Sequence, residues 1–246
     1  MSRYFLKLAY NGKNYHGWQS QPNASSIQQT LEEAIRLIWK SPVEIVGAGR
    51  TDAGVHAKTM YAHFDFEAAL EPEHWVKKLN AYLPKDIVIY DVIPVHAEAH
   101  ARFDASSRSY EYHLHQYKNP FEQEISWYFF HPLQLDKMNE ACDILLQYTD
   151  FECFSKTHTD VNTFNCKITE ARWVKQGDKL VFHISADRFL RNMVRAIVGT
   201  MIDIGLGKNS PEHLHHIIQS KNRSEAGFSV PAHGLFLTEI NYPYLP

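Results

Sequence analysis

Two successive stretches of the chain run through the same order of elements, and few folds accommodate such a repeat. Arg3 to Tyr10 alternates apolar and polar residues as a strand does, and Ser26 with Gln29 forms a capping-box pair opening a helix whose Ile27, Leu31, Ile35 and Ile38 share one face. That helix ends before Ser41-Pro42. Val43 to Val46 reads as a short strand, Thr59 to Phe66 as a longer one, Pro72 opens a helix through Leu83, and Ile87 to Val95 is an apolar strand. The order is βαββαβ, the ferredoxin-like or split βαβ arrangement. The second stretch repeats it. Arg108 to Tyr117 alternates as a strand, and Asp136 to Gln147 is helical with Met138, Cys142 and Leu145 on one side. Ile168 to Lys175 and Leu180 to Ala186 flank the hairpin signal Gln176-Gly177-Asp178. Arg188 to Ile204 is the strongest helix, with Asp187 as its cap and Gly205 and Gly207 at its end; a short helix over Pro211 to Gln219 and a strand over Leu235 to Asn241 follow. The expectation is an α+β chain of two related halves, residues 1–104 and 105–246, with a boundary near Phe103 to Ser107 and antiparallel sheets flanking a central cleft.

The repeat isolates one segment. Between the two middle strands of the second half only a tight turn is needed, whereas the first half spends about ten residues there, on Gly49-Arg50-Thr51-Asp52-Ala53-Gly54-Val55-His56-Ala57. A long loop where a short one suffices is more often functional than decorative. An aspartate is ionised at neutral pH, and a neighbouring guanidinium favours that form and fixes its direction, so Asp52 beside Arg50 is a candidate nucleophile. Gly49 and Gly54 allow positive φ and the close approach of another backbone, which a large ligand pressed against the loop would need. The alternative is an ordinary turn in which Asp52 bonds its own backbone and Arg50 is exposed.

Two further groups suit nucleic acid. Arg108, Tyr110 and Tyr112 fall on one face of a strand, and an aromatic plane beside an arginine suits a flipped-out base, since stacking contributes about 1 to 3 kcal/mol for any base. The alternative is a pair of core tyrosines and a rim arginine. Arg188, Arg191 and Arg195 are spaced i, i+3 and i+7 on the expected helix, with no acidic residue four places on. On that reading Arg195 is placed mid-helix to meet a carboxylate, and Arg188 and Arg191 toward a phosphate backbone.

Composition narrows the class. No apolar run approaches the ~20 residues of a membrane span, and Met1 to Lys7 alternates where a signal peptide would be continuously apolar. Cys142, Cys153 and Cys166 lack a framework spacing and read as reduced thiols, so a cytoplasmic location is expected. A net charge of -3 counts against nucleic-acid binding through bulk charge, so any such function rests on a local basic patch. His113 with His115, and Cys153, His158 and Cys166, are loose metal candidates, neither with the four ligands of a structural zinc site. No bound metal is expected.

Taken together, these residues resemble the tRNA pseudouridine synthase A family nearly end to end. The segment Gly49 to Ala57 matches that family's signature without a gap. Arg108-Ser109-Tyr110-Glu111-Tyr112 resembles its Arg-x-Tyr-x-Tyr segment, Met193-Val194-Arg195 its Met-Val-Arg helix, and Pro231 to Leu237 its C-terminal strand, while Tyr10-Asn11-Gly12 and Gly17-Trp18-Gln19 also fit. Glu111 departs from a frequent arginine. The resemblance implies isomerisation of uridine to pseudouridine at nucleotides 38, 39 and 40 of the tRNA anticodon arm, without a cofactor, by a homodimer whose tRNA crosses both subunits. It makes Asp52 the nucleophile and Tyr110 the residue that stacks on the flipped base. Arg195, with Arg50, is the partner that holds Asp52 ionised and aimed.

Overall fold

The computed structural model describes residues 1–67, 69–157 and 161–245. In chain order the elements are β1 (Ser2–Tyr10), α1 (Ile27–Trp39), β2 (Val46–Gly47), β3 (His56–Phe66), α2 (Pro72–Tyr82), β4 (Ile87–Val95), β5 (Ser107–His115), β6 (Trp127–Tyr128), α3 (Leu135–Leu145), β7 (Ile168–Gln176), β8 (Lys179–Ala186), α4 (Met193–Gly205), α5 (His213–Ser220) and β9 (Leu235–Asn241). The chain is α+β. By its internal contacts it divides into one unit of Met1–Ser106 with Phe236–Pro246 and a second of Ser107–Leu235, so β9 from Phe236 onward counts with the N-terminal elements.

In the first unit β1 lies between β4 and β3, antiparallel to both. The far edge of β3 takes β2 antiparallel at His63 and Ala62, and β9 parallel at His56 and Ala57. That parallel pairing was not expected from the strand pattern. Ser26 caps α1 by accepting the N–H of Gln29, but the Gln29 side chain turns to Glu33, so only half of the capping box forms. Ile27, Leu31 and Ile35 of α1 are buried, as are Leu6, Leu8, Met60 and Phe64, which share one face of the paired strands β1 and β3. The expected strand from Val43 shrinks to Val46–Gly47, and β3 begins three residues earlier than its alternation suggested, inside the signature segment.

In the second unit β8 lies between β5 and β7, antiparallel to both, and β6 pairs parallel with the end of β5. Each unit protects an edge strand in the same way. Asn80 on α2 donates to the carbonyl of Ile89 and accepts its N–H, both at 2.8 Å; Asn139 on α3 does the same for Trp173 at 3.2 and 2.8 Å. A side-chain amide thereby stands in for the missing neighbour strand.

The largest correction concerns α4. It starts at Met193, and Arg188 to Asn192 is an irregular link. Asn192 takes a left-handed φ of 68°, a conformation that asparagine tolerates better than most residues, and its side chain donates to Ser229 Oγ at 2.7 Å. Asp187 therefore does not cap the helix: its carboxylate accepts the N–H groups of Lys167 and Arg188, both at 2.7 Å, tying the end of β8 to the chain entering β7. From Met193 on the helix is almost wholly buried.

Candidate active site

The signature loop is held from beneath. Thr51 O accepts the N–H of Trp18, Tyr15 O accepts that of Gly54, and Asp52 O accepts that of Val55. Tyr10 Oη and Thr51 Oγ1 share a hydrogen bond of 2.9 Å, and His56 Nδ1 accepts the N–H of Gly12 at 3.1 Å. Two glycines make this approach possible. A Cβ on Gly12 would lie 2.0 Å from Val55 O, and one on Gly17, whose φ is +90°, would lie 2.2 Å from Thr51 O. Trp18, buried, fills the space under Gly47 and beside the ring of Tyr10. The segments Tyr10 to Gly12 and Gly17 to Gln19 thus form the seat of the loop, and on that seat the carboxylate of Asp52 is half-buried.

Of the two loop glycines, Gly54 uses its freedom, with a positive φ of 78°, and Gly49 does not lie in the left-handed region. Arg50 is exposed and, among the described residues, forms no hydrogen bond or ion pair with Asp52.

In the second unit the arginine face divides. Arg195, on the first turns of α4, donates from Nε to Val230 O at 2.7 Å, while Val230 N donates back to Arg195 O at 3.3 Å. The segment around Val230 lies along α4 so closely that a Cβ on Gly199 would strike Phe228 O at 1.8 Å, and Gly227 N donates to Thr200 Oγ1 at 2.9 Å. This strap fixes the plane of the Arg195 guanidinium. Arg188 and Arg191 lie in the irregular link instead of one helical face: Arg188 is half-buried, with a 3.4 Å hydrogen bond to Thr163 O, and Arg191 is exposed.

The strand face of Arg108, Tyr110 and Tyr112 also divides. Tyr112 is core: it is fully buried, its hydroxyl donates to Pro231 O at 3.0 Å beside the strap carbonyl that holds Arg195, and burial raises its pKa well above the usual phenol range. Tyr110 is half-buried, with its ring edge-on to Phe189 at 5.1 Å, and Arg108 donates to Asp187 O at 2.9 Å. Glu111 accounts for its own departure from the family pattern by standing between two histidines, 2.9 Å from His113 and 3.7 Å from His183.

The metal candidates do not assemble among the described residues. His113 meets Glu111, His115 shares a 2.9 Å hydrogen bond with Ser126, and no group of three or more His, Cys, Asp or Glu side chains is placed to hold an ion. His158 lies outside the described residues. Cys142, Cys153 and Cys166 are buried and free, and burial pushes the Cys153 and Cys166 thiols up to about 12. No helix among the described residues is long and apolar enough to cross a membrane.

A family model described as tRNA pseudouridine synthase matches residues 8–104 and 142–243, which include Asp52 and Arg195; Arg108 and Tyr110 fall between the matched spans. The chain belongs to the tRNA pseudouridine synthase family, and it is an isomerase that forms pseudouridine in tRNA. It is 54% identical over 247 residues to the tRNA pseudouridine synthase A of Porphyromonas gingivalis, covering 99% of this chain and 98% of the relative. It is 52% identical over 244 residues to the protein of that name from Parabacteroides distasonis, covering 99% and 97%. The Exiguobacterium protein of that name is 37% identical over 242 residues, covering 98% of each chain.

Proposed function

We propose that the chain isomerises uridine at nucleotides 38, 39 and 40 of the tRNA anticodon arm, with Asp52 as nucleophile. The supporting observation is the loop seat: backbone hydrogen bonds from Trp18 N to Thr51 O and from Gly54 N to Tyr15 O, with a side-chain bond between Tyr10 and Thr51, hold the loop around half-buried Asp52, so the group meets a substrate without first being ordered. The reaction breaks the bond from N1 of uracil to C1′ of ribose, forms one from C5 to C1′, removes the proton from C5 and leaves one on N1. No electron is gained or lost, so a nucleophile and a proton acceptor are sufficient. The carboxylate adds to C6 of the base or to C1′ of the ribose, and either adduct lets the base detach, turn and rejoin through C5.

The other residues take supporting roles in this reading. Tyr110 stacks on the flipped uracil and sits where the C5 proton departs. Arg195, whose Nε is held by Val230 O, takes the part of the cation that the resemblance assigns to the nucleophile. Arg50, exposed, meets the RNA beside the nucleophile, and Arg108, Arg188 and Arg191 meet its backbone. The protein acts in the cytoplasm as a homodimer, with residues 1–104 supplying the nucleophile and 105–246 the stacking tyrosine and Arg195.

Asp52→Asn tests the assignment. It keeps the size of the side chain and removes the anion, and the backbone bond from Val55 N to Asp52 O does not depend on it. Pseudouridine formed per enzyme in a single turnover should fall below detection, while tRNA affinity persists and stability changes by less than about 1 kcal/mol. Product formation at a comparable rate would remove Asp52 from the chemistry. Loss of activity through unfolding would return the loop to an ordinary turn.

A further inference from the structure

Gly49 is a glycine that the fold itself does not require. Every other glycine of the chain either has a φ in the left-handed range, as Gly17 and Gly54 do, or would drive a Cβ into a close neighbour, as at Gly12 and Gly47. Gly49 does neither: its φ is outside that range, and a Cβ built on it has no atom of the described residues within 4 Å. Glycine in such a position carries an entropic cost with no return inside the chain, because an alanine there would restrict the unfolded state and strain nothing.

The position of Gly49 in the loop suggests what it serves. It stands three residues before Asp52, and three residues of extended chain span at most ~11 Å. A nucleoside whose C6 or C1′ lies about 3 to 3.5 Å from the carboxylate, with its ribose and flanking phosphates, extends over that distance. Arg50, exposed, is the adjoining residue. We propose that the bare backbone at Gly49 is a substrate-contact surface on which the ribose–phosphate chain next to the target uridine packs directly, so that any side chain there competes with tRNA for space. Gly49 is in this sense a binding residue of the loop and no part of the chemistry. The inference rests on the reading of Asp52 as the reacting group.

A size series decides it: Gly49→Ala, Gly49→Ser and Gly49→Leu, each measured for thermal unfolding, tRNA dissociation constant, and KM and kcat of pseudouridine formation. All three should unfold at or slightly above the parent temperature. The dissociation constant and KM should rise stepwise with side-chain size, by roughly tenfold or more for Leu if the overlap is as costly as in a packed core, while kcat at saturating tRNA stays within a few-fold. A Leu variant with parental affinity and KM overturns the proposal. So does a Leu variant that fails to fold, since the space beside Gly49 would then belong to the protein. Asp52→Asn, measured in parallel, separates the two readings: an active Asp52→Asn removes the nucleophile assignment, whereas a flat Gly49 series with an inactive Asp52→Asn removes only the contact surface.

Discussion

Tyr110 and Tyr112 stand two places apart on one strand and do different jobs. Burial and a hydrogen bond to Pro231 O commit Tyr112 to the core, whereas Tyr110 is half-buried with its ring edge-on to Phe189. Tyr110→Phe keeps a plane for stacking and removes the hydroxyl; it should bind tRNA with parental affinity and lose turnover if that hydroxyl takes the C5 proton. Tyr110→Ala should weaken binding as well, by about 1 to 3 kcal/mol. Filter binding and single-turnover product formation read the two effects separately, and near-normal turnover in both variants would make Tyr110 a packing residue. At this scale the sequence shows what is local. The loop that carries Asp52 is legible as a long connection because its residues are consecutive, but the seat beneath it is not, since Tyr10, Gly12 and Trp18 reach it from some forty residues away. The sorting of the tyrosines was closed to a period of two, which places both on one face and says nothing of what packs against each.

Periodicity located most elements because a buried face repeats at the pitch of its helix or strand; β4 and β9 coincide with their apolar runs residue for residue. It failed at the start of α4. The apolar spacing there continues back through Leu190, itself buried, so the pattern looks helical while the left-handed Asn192 breaks the backbone. Short parallel pairings and the asparagine bridges to β4 and β7 were equally hidden, being contacts between elements and not patterns within one. The break bears on Arg188 and Arg191, which become loop arginines, yet leaves a clear test. If each meets a phosphate, Arg188→Ala and Arg191→Ala should each weaken binding across tRNA sequences and reduce the slope of log K against log salt by about 0.7 to 0.9 for each phosphate no longer neutralised. Catalysis at saturating tRNA should survive. Equilibrium binding at several salt concentrations measures the slope, and an unchanged slope in both variants would leave these residues as solvated surface.

For the molecule as a whole, the βαββαβ order of the first stretch was legible from its periods, and the second follows the expected βαββααβ with β6 added; the grouping of Phe236–Pro246 with the N-terminal unit was not, since it depends on long-range contact alone. The charge raises a separate question. A chain of net charge -3 repels a polyanion on average, so tRNA must be held by local arginines. Two chains related by a two-fold axis would present the same patch twice and lengthen the basic track without changing either chain. The homodimer we propose therefore has a functional consequence beyond its mass. Sedimentation equilibrium should give twice the chain mass, and tRNA affinity measured at protein concentrations below the dimer dissociation constant should fall more steeply with dilution than a one-to-one isotherm allows. Specific activity should fall with it, because the monomer keeps Asp52 but only half of the track. A monomer that binds tRNA and forms pseudouridine at the undiluted rate would refute the dimer as the working unit while leaving the assignment of Asp52 intact.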